Sequence, residues 1–223
     1  GMMPLCTGSD SGGSLRKPAT FSGVSAIRPT TGLVPSDKRG VGFTNLSVQG
    51  PMARTAEDCA LMLSIMAGND TADPLSFNVD GADYRTVPEI DLTQLRVAIS
   101  VDFGWAPVEH GIRDTFEKRL ARFQSIFKSC ARFDPNIENA LDVFWVLRGV
   151  QFLASHLARY RQHRDQIGPN IVANVEAGLK MTSEEIAWAH GEHTRLYRQF
   201  QTMFADYDVC LYTHLTLPTK RIV

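Results

Sequence analysis

An α/β fold, a mixed β-sheet covered by helices on both sides and carrying a helical insert, is what this chain of 223 residues predicts. Three observations point to it. The apolar run Leu95-Arg96-Val97-Ala98-Ile99-Ser100-Val101 reads as a strand, Ile112, Phe116, Leu120, Phe123 and Phe127 recur at helical intervals, and Ala131-Arg132-Phe133 suggests a returning strand, which together make a βαβ unit. Two long helical stretches follow within residues 137–164 and 182–204. Near the N-terminus, a Gly/Ser loop stands where a strand would turn into a helix.

That loop, Gly8-Ser9-Asp10-Ser11-Gly12-Gly13-Ser14, is built almost wholly of small residues and ends on a hydroxyl. Gly12 and Gly13 lack a Cβ, so the backbone is free to take positive φ and admit a substrate carbonyl, with the amides of Ser11, Gly12, Gly13 and Ser14 converging as an oxyanion hole. Leu15, Arg16 and their successors can begin a helix, which would place the Ser14 Oγ at its positive end. Asp10 and Arg16 flank the turn with opposite charges. A flexible linker is the plainer reading of Gly and Ser, but the moderately apolar residues 21–27 and the turns at Pro29 and Pro35 follow at once. Neither Gly-Lys-Ser/Thr nor Gly-x-Gly-x-x-Gly occurs, which argues against a phosphate-binding loop.

The pattern Gly-Ser/Thr-Asp-x-Gly-Gly-Ser-x-Arg-x-Pro-Ala, met from Gly8 to Ala19, resembles the amidase signature family of Ser-Ser-Lys amide hydrolases. Phe21-Ser22-Gly23-Val24, Arg28-Pro29-Thr30 and Gly32-Leu33-Val34-Pro35 follow in family order, and residues 50–58 look like its next shared block. The likeness is strong to about residue 70 and diffuse beyond. It implies that Ser14 is the acylated catalytic nucleophile, that the Ser11-to-Ser14 amides hold the oxyanion, and that Asp10 and Arg16 brace the loop. It also implies a small-molecule amide substrate, with no metal and no organic cofactor.

In the family the base is a lysine working through a serine in a cis peptide, both upstream of the nucleophile, and no lysine precedes Ser14 here. The expectation is therefore a partial amidase domain over residues 1–209, lacking its Lys and cis-Ser and inactive alone. Lys17 lies near Ser14 but at a position that the family leaves free. A glutamine-dependent aminoacyl-tRNA amidotransferase subunit shares the loop and is one alternative, although Leu46-Ser47-Val48-Gln49 does not look like that subgroup. A noncatalytic fragment is the other.

Farther along, Thr55-Ala56-Glu57-Asp58 has an N-cap hydroxyl and acids in the first turn of a helix that Gly68 would end. Residues 69–89 are polar and read as a surface connection. Asp102-Phe103-Gly104 closes the strand over residues 95–101, and the resemblance makes Phe103 and Trp105 candidates for the substrate pocket, with core packing as the plainer reading. Thr182-Ser183-Glu184-Glu185 has capping-box spacing. Residues 109–205 resemble the variable helical insert of the family. Asp206-Tyr207-Asp208-Val209 resembles its closing strand, whereas residues 210–223 read as a foreign tail, a sequencing scar, with a true terminal strand as the alternative.

A content of 43% hydrophobic and 21% charged residues with a net charge of −1 describes a globular chain and gives no footprint for nucleic acid. The longest apolar runs fall short of the roughly 20 residues that span a membrane. Cys6, Cys59, Cys130 and Cys210 are far apart without Cys-x-x-Cys spacing, which fits reduced thiols in the cytoplasm, with Cys6 as a small core residue. His190 and His193 have the spacing of a shared metal site but no evident third ligand, and read as a polar helix face. The partners expected are the amide substrate and, at most, a second copy in a homodimer.

Overall fold

The computed structural model describes residues 3–213, which divide into two compact units between Glu89 and Ile90. In the first unit β1 (Leu5–Asp10) pairs antiparallel with β3 (Val48–Ala53), from Leu5 opposite Ala53 to Asp10 opposite Val48, and β2 (Ser25–Ala26) flanks β3 on its other side. The sequence hides β3 because Gly50 and Pro51 interrupt it, two residues that normally punctuate strands. Gly50 is required there, since a Cβ would collide with the Ile27 carbonyl oxygen.

Helix α1 (Arg16–Ser22) follows the Gly/Ser loop and stops at Gly23, whose left-handed φ of 63° few other residues take. Helix α2 (Ala56–Met66) starts as its sequence predicts: Thr55 Oγ1 accepts from the Asp58 amide at 3.1 Å. It packs on β3, and Leu63 joins Leu33 and Val34 in a small core. The polar connection that follows differs from expectation at Asp73, which is buried rather than solvated. Cys6 departs in the opposite sense. It is exposed, because β1 lies at the sheet edge and only Asp10 along it is buried.

In the second unit, β4 (Arg96–Ser100) lies between β5 (Ser129–Arg132) and β6 (Val209–Tyr212), parallel to both. Helix α3 (His110–Phe123) links β4 to β5, completing the βαβ unit, and its Leu120 packs with the buried Val97 and Ile99 of β4. Three helices follow, α4 (Ala140–His163), α5 (Pro169–Leu179) and α6 (Ser183–Asp206). The capping box of α6 forms: Thr182 Oγ1 accepts from the Glu185 amide at 3.1 Å, and Glu185 Oε2 accepts from the Thr182 amide at 2.7 Å. Helices α4 and α5 touch backbone to backbone, because a Cβ built on Gly178 would lie 2.9 Å from the Gly149 carbonyl oxygen.

The α/β class expected from the sequence is the class found. Among the described residues its two strand senses stand in separate three-stranded sheets, one antiparallel and one parallel. Strand β6 continues through Tyr212, and the buried Thr213 donates its hydroxyl to Val101 O at 2.5 Å, so the stretch set aside from 210 onward begins inside a paired strand. Residues 214–223, where most of the supposed foreign tail falls, lie outside the described residues.

Candidate active site

Strand β1 ends at Asp10, and the four residues that follow swing the chain off the sheet into α1. Asp10 is fully buried. Its carboxylate accepts from the Gly13 amide at 2.7 Å and the Leu15 amide at 3.3 Å, so one side chain staples both flanks of Ser14. Arg16 closes on it as a fork, Nε to Oδ2 at 2.9 Å and Nη2 to Oδ1 at 3.1 Å. Arg28 reaches in from beyond β2. Its Nη1 contacts Oδ1 at 3.0 Å and also the Asp10 carbonyl, while Nη2 donates to Leu46 O at 3.1 Å.

Burial alone would raise the Asp10 pKa. The Arg16 hydrogen bonds, the Gly13 amide and the charges of Arg16 and Arg28 outweigh it and hold the pKa at about 2. Asp10 is therefore ionised throughout the neutral range, and the loop is tied to a fixed charge.

Ser14 is exposed, immediately after a reversal at Gly13 with φ of 103°. Among the described residues, the amides of Ser11, Gly12 and Ser14 make no hydrogen bond. Gly13 differs from its neighbours in the loop. The positive φ is confined to Gly13, and its N–H is taken by Asp10. Helix α1 is only seven residues long, so any dipole behind Ser14 is slight.

Lys17 lays its stem over Gly13, where a Cβ would meet Lys17 Cε at 3.1 Å. Burial and the neighbouring Arg16 lower its pKa, and Asp10 partly opposes them. No hydrogen bond joins it to Ser14 among the described residues.

The proposed pocket residues belong to the second unit. Phe103 has φ of 55° and stacks on Tyr212 at 4.9 Å between ring centroids, while Ser100 Oγ accepts from its amide at 2.8 Å. Trp105 is exposed. On α6, Glu192 accepts from Asn139 and Arg195, and the half-buried His193 has a pKa lowered by burial and by His190. No group of three His, Cys, Asp or Glu among the described residues is placed to share a metal ion, and no helix among them is long and apolar enough to cross a membrane. Sequence reasoning missed Arg28 as the third holder of the loop. The only signal was its place in the block Arg28-Pro29-Thr30.

An exposed hydroxyl beside unengaged amides, on a loop anchored to a buried carboxylate, has the form of a serine acyl-transfer site on an α/β scaffold. A family model described as amidase matches residues 1–222, and the chain belongs to that family, the amidase signature enzymes. It is 31% identical over 211 residues to an acylamidase of Rhodococcus erythropolis, covering 94% of this chain and 44% of that protein. It is 32% identical over 154 residues to a glutamyl-tRNA(Gln) amidotransferase subunit of Caldanaerobacter subterraneus subsp. tengcongensis, covering 69% and 31%. The crystal structure of a bacterial aryl acylamidase of the amidase signature family superposes with a TM-score of 0.81 at 22% identity, over 95% of this chain and 46% of that one. The chain thus spans less than half the length of these relatives.

Proposed function

We propose that this chain carries the nucleophile of an amide hydrolase. Ser14 Oγ attacks the amide carbonyl, the C–O bond forms, and negative charge develops on the carbonyl oxygen. The amides of Ser11, Gly12 and Ser14 receive that charge, each donor contributing about 3 kcal/mol in comparable sites. The hydroxyl proton passes to the leaving nitrogen as the C–N bond breaks, and water then cleaves the ester, releasing the acid and restoring Ser14. The proton carrier in this reading is a lysine working through a serine, as the family resemblance implies. Asp10, Arg16 and Arg28 keep the loop in register without touching the substrate. Dispersed free cysteines favour a reducing compartment, the cytoplasm.

The observation that carries this reading is the division of labour among the loop amides: Asp10 takes those of Gly13 and Leu15 and leaves those of Ser11, Gly12 and Ser14 unengaged. The test is amide hydrolysis by the full-length protein that carries this loop. Ser14→Ala is expected to lower kcat by at least about a thousandfold with the fold intact. Hydrolysis that survives Ser14→Ala would end the proposal.

Similarity to a glutamyl-tRNA(Gln) amidotransferase subunit supports a second reading, in which the same acyl-enzyme forms on glutamine and the ammonia is handed on. Dependence of turnover on glutamine and on co-purified subunits distinguishes it.

A further inference from the structure

Two arginines grip consecutive carbonyls at the entrance to β3. Arg28, already holding Asp10, donates to Leu46 O. One residue on, the Ser47 carbonyl accepts from Arg39 Nη1, and Arg39 Nε donates to Asp73 Oδ2 at 3.2 Å. The Arg39 side chain is 3% exposed and that of Asp73 0%. Asp73 also accepts from the Ser36 amide at 2.8 Å and the Leu75 amide at 3.0 Å. Arg39 Nη2 is buried 3.2 Å from Asp73 Oδ2 without hydrogen-bond geometry.

A continuous row therefore runs from Asp10 through Arg28, the two carbonyls and Arg39 to Asp73. It crosses the residues leading into Val48, which pairs with Asp10 across the sheet. Buried ion pairs add little net stability over apolar packing of the same volume, so stability alone gives no reason for this one. Its distinctive product is a fixed place for the carbonyls on which Arg28 docks.

We propose that Arg39 and Asp73 are positioning residues for the Ser14 loop: they lock the Leu46–Ser47 backbone, which sets Arg28, which sets the Asp10 carboxylate that staples Gly13 and Leu15. The proposal rests on the hydrolase reading for its purpose, but the linkage is physical and is measured without turnover.

Hydrogen exchange at the Gly13 and Leu15 amides, followed by NMR in the 223-residue chain, tests it. Asp73→Asn removes the charge and keeps the shape. Leu63→Ala weakens the Leu33, Val34 and Leu63 core without touching the row, and serves as the stability control. Asp73→Asn is expected to speed exchange at both amides at least about tenfold beyond the control. In the full-length protein it is expected to lower kcat about tenfold or more with little change in KM, since misplacement of a reacting group acts on the chemical step. Should Asp73→Asn fail to fold, Arg39→Lys, which keeps the charge but has no fork to reach Ser47 O and Asp73 together, is measured in the same way. Gly13 and Leu15 exchanging no faster than in Leu63→Ala would overturn the linkage. Failure of the hydrolase reading has a separate signature, activity retained in Ser14→Ala, and leaves the exchange result to decide the linkage.

Discussion

Asp10 in the first unit and Asp208 in the second are both held at a pKa of about 2, by different means. Asp208 lies at the surface, where Arg96 forks onto it with Nη2 to Oδ1 at 2.8 Å, and the Arg96 amide adds a bond of 2.8 Å. Its side chain is 36% exposed and that of Arg96 39%. Hydrogen bonding to Arg96 sets its acidity, with burial a lesser, opposing influence. For Asp10 burial is the largest influence, and two arginines and the Gly13 amide are spent overcoming it. Equal acidity thus conceals unequal commitment. The surface pair is screened by salt and replaceable by water, whereas the buried one leaves stranded groups when any member goes.

Asp10→Asn should have the largest effect, costing about 3 kcal/mol in urea unfolding, because Arg16, Arg28 and two amides lose a charged acceptor together. Asp208→Asn should cost far less, with the loss fading at high ionic strength. Equal losses from the two substitutions would erase the distinction between them.

Acid sharpens the same contrast. Folding lowers the Asp10 pKa from 3.8 to about 2, so the ionised form favours the fold. That contribution, about 2 kcal/mol, is fully present above pH ~4 and is lost as the pH falls toward 2. Urea midpoints measured across this range should lose part of their slope in each variant, and the part that Asp208 contributes should shrink as salt is added.

The comparison extends to adding one methyl group in each unit. Gly50→Ala drives a Cβ into Ile27 O and should destabilise by about 2 kcal/mol. Gly191→Ala, on α6 with nothing within 4 Å of the new Cβ, should stabilise by about 0.7 kcal/mol through helix propensity. Thermal unfolding of both variants reads the opposite signs.

What the sequence revealed was local. Thr55 and Thr182 announce their helices because capping is settled within four residues, and the β4-α3-β5 unit declares itself by period. The hydroxyl at the end of a glycine turn was legible for the same reason. Strand β3 was not, since Gly50 and Pro51 answer to Ile27 and to neighbouring strands rather than to strand propensity. Nor was the burial of Asp73: an aspartate in a polar stretch looks solvated until an arginine thirty-four positions away is found on its oxygen. The bond from the Gly13 amide to Asp10 was not legible either. Composition tells that an amide is accessible, but the turn decides which way it points.

The contact of Gly149 with Gly178 has a consequence for the second unit. Neither glycine contributes a side chain of its own, and the backbones approach so closely that a Cβ on Gly178 would press on both Gly149 O and Leu153. Any larger residue at either position becomes a wedge that levers α5 away from α4, so a graded series of Ala, Ser and Val there would act as a spacer set for tuning the width of the helical layer.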